Sequence, residues 1–424
     1  MGALFAQETD AAAAKPDSLN VGRIDRITQF FGDEVASHRL SGAVVMISRG
    51  GNIAYQEAFG VRDPDTRAGM LRDSIFRIYS MTKPVTAVAV LMLVEDGKIH
   101  LGDAASAYLP AMKSPRVLIE QTDGVGGRFA TTVPADHEIT IEELLTHTSG
   151  ITYGAGSSLA EQMMKDAGIG LELGAAGIAL ASRINDAQMV EKIARVPLMF
   201  QPGTAWHYGR SFDVLLALIE AVSGVTADQF YEQRIFRPLG MTDTFFNLPP
   251  DRRNRVAQPG PNPYSFFGRV PLLTNVSLPR TFLAGGAGLL STAPDYMRFA
   301  SMLANEGELD GVRILMPETV ALMTSDRIGP ALARPPAFNP AEGYGFGLGV
   351  PVRTRSTASI PGEVGEFNGY GAAGTLFWVD PAEHLVAVLM TQSPDWADRK
   401  RAVFRTLVYQ SLPNNRSRSS SAAH

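Results

Sequence analysis

The chain has 424 residues, 45% of them hydrophobic and 19% charged, with no cysteine. That composition suits one large globular domain or two interleaved ones, and it excludes disulfide frameworks, thiol nucleophiles and thiolate metal sites. A formal net charge of -5 offers no cationic face to nucleic acid or to anionic lipid.

The first twenty residues carry acids where a signal peptide would be apolar, and Ala6 stands where a myristoylation signal needs Ser or Thr. No apolar run approaches the length of a membrane span. The expectation is a cytoplasmic protein with no membrane span and no nucleic-acid partner. Residues 1–19 and 413–424 are small and polar and are expected to be flexible. A helix over 21–38 precedes "SGAVVMISRGGNIAYQEAFG", where two β-rich runs around Gly-Gly predict a hairpin over 42–59. The next helix begins near Ser80 and closes at Asp96 and Gly97. "TIEELLTHTSGIT" starts on a cap at Thr140 and stops at Gly150. Residues 153–181 are rich in Gly, Ala and Met and have the length of a lid. "SFDVLLALIEAVSG" is an amphipathic helix ending at Gly224, and "IFRPLGM" turns at Pro238 and Gly240. Past Gly285 come a short strand, a cap at Ser291 or Thr292, and a helix. "YGFGLGVPV", "GTLFWVDP" and "HLVAVLMTQ" then read as three strands of one antiparallel sheet, with a last helix over 398–410. Strands at both chain ends predict an α/β domain from 20–100 and 285–412, into which an all-helical domain over 101–284 is inserted.

The chemistry starts at "IYSMTKPVTAVAV", residues 78–90. If a helix begins there, Ser80 and Lys83 share one face of its first turn. Free N–H groups and the positive dipole end favour negative charge on the serine oxygen. An alcohol becomes a nucleophile when a base takes its proton, and a lysine is such a base when burial or a neighbouring cation lowers its pKa. Taken alone, Ser-x-x-Lys is a weak signal and Ser80 reads first as a helix cap.

Further phrases outweigh that reading. "WHYGRSFDVLLALI", "LLTHTSG", "FRPLGMTDT", "GGAGLLST" and "NGYGAAGTLFWVDP" follow in order. With Ser-x-x-Lys they resemble the serine β-lactamase and penicillin-binding-protein superfamily, nearest to the family eight carboxylesterases with a class C β-lactamase fold. The resemblance spans residues 21–412. It implies a β-lactamase-like α/β fold with an antiparallel sheet flanked by helices, and a site between that sheet and the helical insertion. It further implies Ser80 as the acylated serine, Lys83 as the base, and Tyr208 as a phenolate held near cations that relays protons. The backbone N–H groups of Ser80 and Ala372 would form the oxyanion hole, the latter from a strand beside the active-site helix that "GAAGTLFWV" suits. Gly369, Tyr370 and Gly371 fall on the third motif.

Two departures argue against a dedicated β-lactamase or D,D-peptidase. Arg210 replaces the asparagine after the tyrosine, and Gly369 replaces the lysine that holds a substrate carboxylate. Gly369 also departs from the esterase tryptophan, with the aromatic displaced to Tyr370. The expected function is therefore hydrolysis of carboxylic esters with short to medium acyl chains, with weak β-lactam hydrolysis. The alternatives are a β-lactamase or D,D-peptidase, acyl transfer to an alcohol, or an inactive scaffold. The partner is a small-molecule ester. No metal or organic cofactor is implied, and the oligomeric state stays open.

The remaining candidates carry less. His207 neighbours Tyr208, but adjacent side chains point apart in an extended segment. His147 reads as bonding local backbone at a helix end. No H-E-x-x-H, G-x-S-x-G, G-x-G-x-x-G or Walker spacing occurs. Trp206, Tyr153, Phe266, Phe267 and Tyr344 either line an acyl pocket or pack, with Arg210, Tyr153 and Tyr344 taken as substrate-binding candidates. Met163 and Met164 are lid contacts or core filler.

Overall fold

In the eight-stranded sheet every neighbouring pair is antiparallel, in the spatial order Tyr344–Phe346, Pro351–Arg353, Phe367–Tyr370, Leu376–Asp380, Leu385–Thr391, Gly42–Arg49, Asn52–Asp63, Ala68–Gly69. A computed structural model describes residues 19–413 except 123, 126, 171–182, 261–263, 266–267, 272–275, 331 and 333–341. Residues 1–18 and 414–424, for which flexibility was expected, residues 171–181 of the expected lid, and Phe266 and Phe267 thus lie outside the described residues.

Strands Gly42–Arg49 and Leu385–Thr391 are buried along their whole length. The reason is period-two alternation with both faces covered. Val44, Met46, Phe377, Val388 and Met390 turn into the larger core. Ala43, Val45, Trp378, Ala387 and Leu389 turn to the opposite face, against Ile27 and Phe31 of helix Val21–Ala36 and Phe404 and Val408 of helix Pro394–Gln410. On the inner face, helix Ala293–Ala304 packs on the central strands, and helix Thr82–Glu95 packs against helix Ser211–Ser223. Helix Thr82–Glu95 is buried from Thr82 to Leu93. A helix apolar all round belongs inside a core, so the lysine at its start is carried in with it.

Several boundaries follow local chemistry. Thr140 and Glu143 form a capping box, and Gly224 ends its helix with φ 75°. Of the two caps considered before helix Ala293–Ala304, Thr292 accepts from the Asp295 N–H. The last helix starts at Pro394 rather than near 398.

"YGFGLGVPV" is two strands, not one. Gly349, at φ 87°, reverses the chain between them, and a Cβ there would meet Ala87 at 2.7 Å. The segment between the sheet halves also carries a hairpin, Arg116–Thr122 with Arg128–Pro134. Its alternating β-branched residues around "DGVGG" are a strand signal that the helical reading of this region passed over. No described helix is long and apolar enough to cross a membrane.

Candidate active site

Ser80 sits in a 3-10 turn, Tyr79–Met81, that runs into helix Thr82–Glu95. Neither element takes a side-chain cap hydrogen bond. The Ser80 hydroxyl instead accepts a hydrogen bond from Lys83 Nζ at 3.1 Å. Tyr79 holds φ 42°, a rare conformation for a bulky residue, so the backbone is strained at the turn that presents the serine.

Lys83 is 2% exposed. Its Nζ donates to the Gly286 carbonyl at 2.7 Å and lies 4.5 Å from the Tyr208 ring centroid. The rings of Tyr153 and Phe212 stand at 5.6 and 5.9 Å. Burial pushes the lysine down to about 7; the Asp213 carboxylate opposes that shift and the Arg210 cation adds to it. Near neutral pH a large fraction of this amine is therefore unprotonated and able to accept the serine proton.

The Tyr208 hydroxyl is hydrogen-bonded to Ser80. Burial raises the phenol well above its ordinary value, outweighing that bond, so it rests protonated. This runs against the phenolate expected for Tyr208: desolvation of the phenolic oxygen, with the Asp213 charge beside it, outweighs the bond to Ser80.

His147 brackets Tyr208. Its carbonyl accepts the His207 N–H at 2.9 Å, its Nδ1 accepts the Gly209 N–H at 3.4 Å, and its ring centroid is 4.5 Å from that of Tyr208. It thus bonds the tyrosine segment as well as its own helix end, where its N–H donates to the Leu144 carbonyl at 3.4 Å. His207 turns the other way, with Nε2 3.1 Å from Thr152 Oγ1.

Arg210 does not reach the cleft. Its Nη1 donates to Asp213 at 2.8 Å and its Nε to the Ile169 carbonyl at 2.7 Å. The guanidinium anchors the segment after Tyr153 instead of waiting for substrate. Asp213, one turn into helix Ser211–Ser223, also accepts the Gly286 N–H at 3.1 Å. Gly286 is thereby held at both its N–H and its carbonyl. A Cβ on it would lie 3.0 Å from the Tyr153 hydroxyl and 3.3 Å from Lys83 Nζ. Asp186 fixes the approach to this loop by accepting from the Leu283 and Ala284 N–H groups. Sequence inspection missed Gly286 and Asp213. The glycines of "AGGAGLL" are what let a backbone carbonyl reach the lysine.

The cleft is lined by Pro84, Phe346, Gly349 and Pro351 as well as Ser80, Lys83, Tyr208, Gly369 and Tyr370. Strand Phe367–Tyr370 is the one beside the serine turn; "GAAGTLFWV" supplies the turn after it and the next strand. Gly371 sits against the Ile78 carbonyl with no room for a Cβ, so glycine is what allows that approach. Its N–H bonds the Thr375 carbonyl, and Ala372 lies in the resulting turn. The Tyr370 ring packs under Arg401, with the guanidinium carbon 4.7 Å from its centroid.

Tyr344 is not among the residues lining the cleft. Its hydroxyl donates to the fully buried Glu366 at 3.1 Å and accepts from Arg353 at 2.8 Å, and Arg405 joins the same carboxylate. Tyr344 and Phe346, two positions apart, share a face of their strand, and the Tyr344 hydroxyl is taken up by its bonds to Glu366 and Arg353. Tyr153 stays at the site, its ring 5.5 Å from that of Tyr208. Trp206 packs behind Tyr208 at 6.1 Å. Met164 is core, and Met163 is 40% exposed.

A serine bonded to a buried, near-neutral lysine and to a tyrosine, on this sheet, defines the class. The family model for beta-lactamase matches residues 27–410, and the chain belongs to the beta-lactamase family. It is 30% identical to Esterase EstB of Burkholderia gladioli over 413 residues, covering 92% of this chain and 95% of that one. It is 35% identical to Protein Rv1367c of Mycobacterium tuberculosis over 368 residues, covering 83% and 86%. Among solved structures it is similar to EstCE1, described as a hydrolase with promiscuous acyltransferase activity. That match has a TM-score of 0.76 at 25% identity and covers 92% of this chain and 99% of that one.

Proposed function

We propose that the protein is a serine carboxylesterase acting on neutral esters of short to medium acids through an acyl-enzyme on Ser80. The carrying observation is Lys83, buried with a pKa near 7 and bonded to Ser80 Oγ at 3.1 Å. Lys83 takes the Ser80 proton as Oγ attacks the acyl carbon, leaving an ammonium and a tetrahedral oxyanion. Backbone N–H groups of Ser80 and Ala372 receive that oxyanion. The intermediate collapses to the Ser80 ester and the alcohol leaves with the Tyr208 phenol proton. The Lys83 ammonium reprotonates Tyr208. Water then adds to the ester as Lys83 takes its proton, and the acid is released as the Lys83 ammonium returns that proton to the departing Ser80 Oγ. In the resting state Tyr208 serves as an acid, consistent with its raised pKa.

The lining supports a neutral substrate, since Lys83 is the one basic side chain among the described residues that form it. Nothing there stands ready to hold the carboxylate of a penicillin or a peptide, so β-lactam hydrolysis is a weak side activity. Acyl transfer to an added alcohol is the second reading, favoured by the similarity to EstCE1. Rates on p-nitrophenyl butyrate and nitrocefin test the assignment. The ester is expected to exceed the lactam by at least about 100-fold in kcat/KM, more than 2 kcal/mol in transition-state stabilisation. Dominant lactam turnover overturns it. A serine-directed phosphonate is expected to label Ser80, and an unlabelled protein would be the scaffold instead.

A further inference from the structure

A second cavity lies beyond the segment that carries Tyr153. Its volume is about 360 Å³, against about 50 Å³ for the Ser80 cleft. Ile151 lines it, while the Ile151 carbonyl on the other side of the same segment abuts Gly209, next to Tyr208.

The floor is apolar: Met112, Ile139, Ile151, Ile193 and Leu198 line it, none more than 4% exposed. Met163 lines it too and remains 40% exposed, a flexible thioether beside open space. Lys113, Arg116 and Arg195 also line it, and no acidic residue does. Arg116 bonds the side chain and carbonyl of Thr132, at 2.8 and 2.6 Å. None of the three cations forms an ion pair among the described residues. Glu138, which bonds Ser106 and the Ser114 N–H, feels the charge of Lys113 without forming an ion pair with it. In a chain of net charge -5, three cations around an apolar hollow with no carboxylate make a selective environment for an anion with a hydrocarbon tail.

We propose that this cavity binds an aliphatic carboxylate of roughly eight to ten carbons, its head among Lys113, Arg116 and Arg195 and its tail on the apolar floor. The length follows from volume: at about 30 Å³ per water-sized group, 360 Å³ holds roughly a dozen heavy atoms. The guanidinium groups suit the head because they bind carboxylates in a planar, two-pronged fashion. Methionine and isoleucine suit the tail through contact area alone, so each added methylene tightens binding roughly fourfold until the hollow is full. This assignment is independent of the ester chemistry, since no residue of the Ser80 cleft lines the cavity.

Calorimetric titration of the full-length protein with hexanoate, octanoate and decanoate tests it. Affinity is expected to rise about fifteenfold from hexanoate to octanoate, with decanol, decylammonium and inorganic phosphate all binding much more weakly than decanoate. The Arg116→Glu/Arg195→Glu variant is expected to lose at least tenfold in decanoate affinity, and so is Ala194→Trp, which fills the hollow. Arg195→Ala, at an exposed position, reports the same direction if the double variant folds poorly. Lys83→Met, which removes the cleft's cation, is expected to bind decanoate as the parent does. Loss of binding in Lys83→Met would place the ligand in the cleft and overturn the proposal. Absence of chain-length dependence, or indifference to the arginine substitutions, overturns it equally. The readout is heat of binding, so failure here leaves the ester assignment standing, and failure of ester turnover leaves this one standing.

Discussion

Replacing Asp213 by asparagine should move the pH dependence of the enzyme toward acid. Asp213 Oδ1 and Lys83 Nζ lie 3.5 and 3.3 Å from the point a Gly286 Cβ would occupy, so they are less than about 7 Å apart. At an effective dielectric constant near 20, opposite charges at that distance attract by roughly 2 kcal/mol. Losing the carboxylate removes that support for the ammonium, and the Lys83 pKa falls by roughly one to two units. Arg210, left without its partner, pushes the same way. Asparagine keeps the side-chain shape and an oxygen for the Gly286 N–H, so geometry is preserved. With the amine as base, kcat/KM rises as pH climbs through the Lys83 pKa, about 7 in the parent. In Asp213→Asn the same limb is expected between roughly pH 5 and 6. Arg210→Gln removes the opposing charge and frees Asp213, so its limb moves above 7. The assay is kcat/KM for p-nitrophenyl butyrate from pH 4.5 to 9. A limb that stays at 7 in Asp213→Asn, or rises, refutes the electrostatic account of the lysine.

Other substitutions probe the rest of the molecule. Ser80→Ala is expected to abolish turnover with an unchanged circular dichroism spectrum. Lys83→Ala should cost roughly 10²–10⁴-fold in kcat, and near-parental activity in that variant contradicts the proposed chemistry. Gly286→Ala forces Tyr153 and Lys83 apart by a few tenths of an ångström, for which a loss of roughly tenfold in kcat is expected, with KM little changed. Glu366→Ala strands Arg353 and Arg405 in a dry interior; urea denaturation should show a loss of about 3–5 kcal/mol. An unchanged midpoint there would mean the cluster contributes nothing to the sheet edge beside Gly369.

Local rules were legible in the residues themselves. Ser80 and Lys83 meet because positions three apart share a helix face, and the strand pattern of Gly42–Arg49 and Leu385–Thr391 announces a sheet made by both chain ends. The Thr140 capping box and the Gly224 stop depend only on neighbours in sequence. Charge state and company do not. Lys83 meets a carbonyl 203 positions away and is tuned by Asp213 and Arg210. The Tyr208 phenol keeps its proton because the fold takes it out of water. Tyr344, two residues from the cleft-lining Phe346 along one strand, is drawn into a buried cluster by Arg353 on the next strand and by Glu366, just ahead of the strand beyond it. Helix faces and turns are set by bonds a few residues long. Desolvation and Coulomb forces act through space, so the chemistry of this serine waits on which distant groups tertiary packing delivers to it.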